Sequence, residues 1–388
     1  MWRHATQGYH LHIHSGSRGR INAGRLRRQC ARSKRPGGSA GPSPGLPSAA
    51  PGGPAATVAA ADASSLSSRA YAKRGVTGTA VGVPDHVVGS GTPASCTSAA
   101  VVSAVASGGY ISFRCGRKPV TITMTATAKV VNTSRWVVLD GGGLVTLSGG
   151  GRHQILYQNA CDRRQLITAS DCYDQQWPAL VVQNITLADG SAPGRQIPGA
   201  NYGSGGGGAI YAEGGQLRVV NSQFDGNLCF RQGPDLGGGA IRALAQWNGR
   251  PVFLNHDTFV NGGCSNGGAL SSVGVSWVIL NSVMTGNTAV GWGGNPPARG
   301  TPGGGSGGAI YTDGNRYSVT IEDSVITGNQ AREGGGGIFF VSNDHSGTLT
   351  IRNCLLRGNP SGVFWTRAYP GVYYNSSGRP RVINSSVK

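Results

Sequence analysis

The sequence predicts an all-β chain wound as a parallel β-helix, and three observations carry that expectation. A glycine-flanked apolar tetrapeptide recurs, an Asn-terminated turn recurs between its copies, and no apolar pattern of helical period survives for three turns. The tetrapeptide lies inside GGGGAIYAEGGQLRVVNSQFDGN, residues 205–227. It returns as Gly238-Gly239-Ala240-Ile241, Gly267-Gly268-Ala269-Leu270, Gly307-Gly308-Ala309-Ile310 and Gly336-Gly337-Ile338-Phe339. The turn returns as NSVMTGN (281–287), DSVITGN (323–329) and NCLLRGN (353–359), with weaker copies in NITLADG (184–190) and HDTFVNG (256–262).

These segments are short, rich in Val, Ile, Phe and Thr, and bounded by Gly and Asn, so they read as strands. Their connections are too brief for a crossover helix, which leaves each coil to pair with the next, about 4.8 Å away. Unequal gaps of 31, 29, 40 and 29 residues between the anchors Ala209, Ala240, Ala269, Ala309 and Ile338 fit a constant framework carrying loops of variable length. The longest insertion, AVGWGGNPPARGTPGGGSG, is nearly all Gly, Pro and polar residues and holds no core element. Gly226, Gly286, Gly328 and Gly358 are expected to supply positive φ at the bends. Asn227, Asn287, Asn329 and Asn359 beside them are expected to bond the bend's backbone, and Phe224, Phe259, Met284, Ile326 and Leu356 form an inward column.

Taken in order, residues 1–85 read as a leader without structure, 86–118 as an N-terminal cap, 119–360 as the β-helix and 361–388 as a final coil or cap. The leader is basic and then rich in Pro, Ala and Ser: residues 1–75 hold 12 Lys/Arg and one Asp, net +11, while the rest holds 22 basic and 15 acidic groups, net +7. A basic arm of this kind could meet nucleic acid or an anionic surface, but no nucleic-acid partner is expected for the folded part. YHLHIH (residues 9–14) offers three imidazoles and no further ligand, so no metal is expected there. With 66 glycines and 13% charged side chains, the chain is turn-dense rather than a disordered polyelectrolyte. It has no apolar run of 18 residues, and no apolar region follows Arg27-Arg28 as an export signal would require.

The paired GGAI and FxxN-like repeats resemble those of the polymorphic outer membrane protein family, within the right-handed parallel β-helix, pectin-lyase-like superfamily. They are also similar to bacterial secreted right-handed β-helix repeat proteins. The resemblance implies a single right-handed solenoid whose repeats span about residues 180–359. It implies a capping helix and first coils in TSAAVVSAVASGGYISF (97–113) and WVVLDGGGLVTL (136–147). Catalytic relatives include polysaccharide lyases with a Ca²⁺-holding carboxylate cluster and an Arg base, and hydrolases with clustered Asp. Beyond Ca²⁺ in a lyase, no cofactor is expected.

Seven of the eight cysteines lie in the folded part, and their spacing suggests the pairs Cys96 with Cys115, Cys161 with Cys172 and Cys229 with Cys264, as in an oxidising compartment. Metal ligation would want CxxC-type spacings, which are missing. GxSxG around Ser306 and GxGxxG at 203–208 arise from composition, because neither sits in a strand-turn-helix context.

Two kinds of site are expected. Asp235 and Arg242 bracket the second GGAI, and His256 with Asp257 follows one strand later, so base, cation and carboxylate could meet on one face for a lyase or glycoside hydrolase. Without catalysis, strand alternation points Ile210, Ile241, Leu270, Ile310 and Phe339 inward. Ala209, Ala240, Ala269, Ala309 and Ile338 then point outward, with Tyr211, Arg242, Ser271, Tyr311 and Phe340 on the other side. Glu213 and Asp313 continue that strip, on which a glycan chain could lie unless loops bury it. The expected protein is therefore a monomeric, secreted or cell-surface β-helix that binds or processes extracellular polysaccharide or a cell-envelope glycan. An adhesive or structural surface protein is the alternative.

Overall fold

The computed structural model describes residues 82–192, 205–234, 236–294 and 298–388. Residues 1–81 of the leader, with the His tract, and Asp235 lie outside the described residues, whereas Asp85 at the leader's end exchanges bonds with Tyr110 of the first coil. The rest is a parallel β-helix: three long sheets of ten, nine and eight strands, plus a three-stranded one, with every strand pair parallel. We call the three long sheets the first, second and third faces. In one coil the third face takes Ile241–Leu244, the first Val252–Asn255 and the second Thr258–Val260. The small sheet, Gly263–Cys264, Thr288–Ala289 and Gln330–Ala331, lies on the way from the second face to the third.

One helix, α1 (Ser98–Ser107), covers the first coils. Thr97 caps it by accepting from Ala100 N at 3.2 Å, and Gly108 ends it at φ +76°, open to glycine at little cost. Val101, Ala104 and Val105 on its inner face are buried and join the core that runs through the coils. At the other end, Val372–Asn375, Arg381–Ile383 and Ser386–Val387 pair with the preceding coil on all three faces, so residues 361–388 contribute one more coil.

Repetition in sequence becomes stacking in space. Phe224 pairs in register with Phe259, then Met284, Ile326 and Leu356, all at most 1% exposed. The Phe224 and Phe259 rings stack at 4.6 Å. Gly226, Gly286, Gly328 and Gly358 hold φ between +60° and +68°. Next to them Asn287, Asn329 and Asn359 form a buried ladder: Asn287 Nδ2 donates to Asn329 Oδ1 at 2.8 Å, and Asn329 Nδ2 to Asn359 Oδ1 at 3.0 Å. Each amide also donates to a strand carbonyl, such as Phe259 O at 3.0 Å and Met284 O at 2.9 Å. Asn227 serves the same bend, accepting from Gly190 N and donating to Leu187 O.

The third face corrects one expected register. Ile310 pairs with Ile338, not Phe339, so Ile338 continues the inward column and Phe339 lies beside Tyr311 on the outer one, while Phe340 points inward. The positive φ of Gly335 matches that of Gly307, which shows that Gly337 fills the Ala position. Four consecutive glycines, residues 334–337, leave no side chain to fix that register in sequence. The Ala track is also not exposed: Ala209, Ala240, Ala269 and Ala309 are at most 2% accessible. All three expected disulfides form, with Cys229 and Cys264 one coil apart across the Leu228 to Gly263 bridge. Cys354 is a buried thiol whose pKa burial pushes up to about 12.

Candidate functional site

The outer column of the third face runs Lys129, Tyr157, Tyr211, Arg242, Ser271, Tyr311, Phe339 and Tyr373, one residue per coil. Of the two outcomes expected for this strip, open or buried by loops, its middle takes the second. Tyr211 and Glu213 are 0% exposed and Arg242 is 1% exposed, whereas Tyr311 and Asp313 are half-buried. Over Arg242 and Ser271 the covering layer includes backbone of the glycine-rich turn before the second tetrapeptide. A Cβ built on Gly237 would sit 2.2 Å from Ser271 Oγ and 3.2 Å from Arg242 Nη1.

Under that layer the polar groups pair with one another, as burial requires. Tyr211 donates to Glu213 Oε2 at 2.7 Å, and Asn159 Nδ2 donates to the same oxygen at 3.0 Å. Arg242 Nη1 donates to Ser271 Oγ at 2.5 Å. The Tyr211 hydroxyl is held well above the usual phenol range by burial first and then by the Glu213 charge. Farther along, the Tyr311 and Phe339 rings stack at 4.9 Å, and Asp313 Oδ1 accepts from Gly314 N and Asn343 Nδ2.

The described members of the expected catalytic set, Arg242, His256 and Asp257, do not lie on one face. Arg242 belongs to the third face, whereas His256 and Asp257 form the bend between the first and second. Asp257 is fully buried in a turn ladder: its oxygens accept from Ser222 N and Asn255 N, each at 2.9 Å, and its own N–H donates to Ser282 Oγ at 3.1 Å. Ser282 N donates to Ser324 Oγ and Cys354 N to Ser385 Oγ, so Asp257 shares its column with Ser222, Ser282, Ser324, Cys354 and Ser385. His256 stands at φ +62° where neighbouring coils carry Asn221 and Asn281, beside a shallow cleft of about 270 Å³. Burial lowers its pKa. Among the described residues no group of three or more His, Cys, Asp and Glu side chains converges to hold a metal ion, so no carboxylate cluster is present there to seat the Ca²⁺ of a lyase.

At its N-terminal end the column opens. A cleft of about 380 Å³ is lined by Lys129, Arg152, His153, Tyr157, Asp162 and Arg164, among others. Tyr157 stacks on Tyr211 at 5.5 Å, and Lys129 Nζ lies 5.7 Å from the Tyr157 ring centroid. Arg152 and His153 leave a tight turn in which Gly150 and Gly151 take positive φ. Asp162 caps the short 3₁₀ turn Arg163–Gln165, accepting from Arg164 N at 2.9 Å through Oδ1 and from the Tyr157 hydroxyl at 3.1 Å through Oδ2. The adjacent Cys161–Cys172 disulfide ties this turn down.

The electrostatics of the cleft follow from that inventory. Lys129, Arg152 and Arg164 are exposed cations, while the one carboxylate lining it, Asp162, is 7% exposed and already engaged. Burial, then the Asp162 charge, pushes the Tyr157 phenol up, so it stays a neutral donor. Three exposed cations and one engaged carboxylate make the cleft a favourable place for an anionic group. Sequence reading missed it because the coil HQILYQN (153–159) lacks the glycines of the tetrapeptide. The pairing of Leu156 and Tyr157 with Ile210 and Tyr211 is the signal that could have found it. Comparison with protein-family models, with curated proteins and with solved structures finds no match.

Proposed function

We propose that the chain is an exported right-handed β-helix protein, kin to the polymorphic-outer-membrane-protein type of repeat in the pectin-lyase-like superfamily, that binds an anionic extracellular polysaccharide. The observation that carries the reading is the open cleft in which Lys129, Arg152 and Arg164 surround a wall formed by Tyr157. A uronate carboxylate would seat among those cations, with Arg offering a planar fork of donors that suits it. Three disulfides support an oxidising destination, and among the described residues no helix is long and apolar enough to cross a membrane.

The test is binding of the 1,4-linked mannuronate disaccharide to the full chain. Replacing Arg152 and Arg164 together by Ala should weaken it by about 1.5 to 3 kcal/mol, with the wild-type affinity falling as salt rises. Equal affinity of wild type and double variant, with melting temperature maintained, would overturn the reading.

A further inference from the structure

The corner between the second and third faces carries exposed aromatic side chains that the cleft does not include. Phe230 is 50% exposed, Trp292 39% and Trp365 49%. Backbone bonds set their order along the axis. Ser265 N donates to Phe230 O and Gly291 N to Ser265 O, each at 3.1 Å, which places Trp292 two coils beyond Phe230. Arg332 N donates to Ala289 O at 3.0 Å and Gly362 N to Ala331 O at 3.1 Å, which places Trp365 two coils beyond Trp292. The coils that carry successive aromatics are therefore two strand spacings, roughly 10 Å, apart along the axis. Two linked pyranose rings of an extended, ribbon-like 1,4-linked chain have that length.

Charge and rigidity point the same way. The Arg332 guanidinium lies 5.2 Å from the Trp292 ring centroid, in the coil between the two tryptophans. Arg231 beside Phe230 and Arg367 beyond Trp365 are also exposed. Glu333 next to Arg332 is turned inward, 6% exposed, with Oε1 accepting from the N–H groups of Gly293 and Gly294. The outer surface of this corner is thus aromatic and cationic. Its backbone is fixed: Cys229 is disulfide-bonded beside Phe230, Trp292 exchanges backbone bonds with Gly303, and Thr366 N donates to Val372 O at 2.8 Å. Stacking platforms held on a rigid frame lose little freedom when a flat sugar ring settles on them.

We propose that Phe230, Trp292 and Trp365, with Arg332 between the tryptophans, form a platform along which one anionic 1,4-linked polysaccharide chain lies parallel to the helix axis. The platform rests on the reading that the partner is an anionic glycan, and it is separate from the cleft that receives a single acidic unit.

The experiment measures affinity of the full chain for polymannuronate of ten or more residues and for its disaccharide. Phe230→Ala, Trp292→Ala and Trp365→Ala should each weaken the polymer about five- to tenfold and leave the disaccharide unchanged. Arg332→Ala should weaken the polymer and reduce its salt dependence. The three aromatics sit on separate coils, so a variant that fails to fold leaves the other two to decide. Unchanged polymer affinity in folded variants overturns the platform, as does concentration-dependent self-association that the same variants abolish, which would make the corner a contact with a second copy. Loss of disaccharide binding in the wild type, with polymer binding still dependent on the aromatics, overturns the cleft reading alone. A wild type that binds neither probe overturns both.

Discussion

Two stacks of side chains run along this solenoid, one inside a bend and one outside a face, and they obey different rules. At the interior bend Asn287, Asn329 and Asn359 repeat one residue with one pattern of bonds. On the outside of the third face the equivalent stack changes from Tyr to Arg to Ser to Tyr to Phe, and its exposure changes from open at Tyr157's cleft to closed at Arg242. The backbone at a bend makes the same demand in successive coils, so one side chain answers it at 287, 329 and 359, while Gly190 and Gly262 only donate to the Asn of the next coil. The outer face makes no such demand; its environment is set by whichever turn and insertion happen to cover it.

The largest loss is expected at the ladder. Asn329 accepts from Asn287 through Oδ1 and donates to Met284 O, Thr327 O and Asn359 Oδ1, all within a buried bend. Asn329→Ala strands several of these groups at once, and we expect a loss of roughly 3 to 4 kcal/mol in urea unfolding. A loss below about 1 kcal/mol would mean that water replaces the amide and that the ladder is not a demand of the fold.

How much was legible in the sequence follows the same division. The Phe224 column, the positive-φ glycines and the Asn turns were readable because most coils restate them. The pairing of Cys229 with Cys264 was readable because both follow their turns by two residues, at Asn227 and Gly262. The slip at Phe339 came where Gly334 to Gly337 carry no side chain to mark inside from outside. Which stretch of the outer strip is covered was not readable, because the cover of Arg242 depends on the Gly237 backbone lying close to it, a long-range fact that no local pattern encodes. The cleft cations Lys129, Arg152 and Arg164 are gathered from three stretches of chain with no motif in common.

A pair of substitutions sharpens the contrast within the outer stack itself. Tyr211 is fully enclosed and bonded to Glu213, so Tyr211→Ala should cost about 3 kcal/mol, by loss of a packed ring and by leaving the Glu213 carboxylate short of a donor. Tyr311 is half-buried and stacks on Phe339, so Tyr311→Ala should cost only about 1 to 2 kcal/mol. Calorimetric unfolding of both variants decides whether coverage, rather than position in the column, sets the cost. Equal losses would show that the covering layer contributes nothing.

The smallest expected effect at acidic pH returns to the interior, at a bend where a carboxylate stands in the Ser column. Asp257 replaces the Ser found at 222, 282 and 324, and its carboxyl is held well above the usual carboxylate range because burial penalises the charge more than the Ser222 and Asn255 amides relieve it. A raised folded-state pKa means that the folded chain binds this proton more tightly than the unfolded chain. The stabilisation is then complete below the unfolded value of about 3.9 and is lost as pH rises through the folded value. Asp257→Ser installs the neighbours' residue and removes the titration. Near pH 3.5 it should change stability by less than about 1 kcal/mol, since a short hydroxyl serves the same column. As pH is raised toward neutrality the wild type should lose ground steadily against the variant in paired denaturant titrations. A stability difference that stays flat across that range would show that Asp257 titrates as it does in the unfolded chain, and that this bend tolerates a buried carboxylate as readily as it tolerates serine.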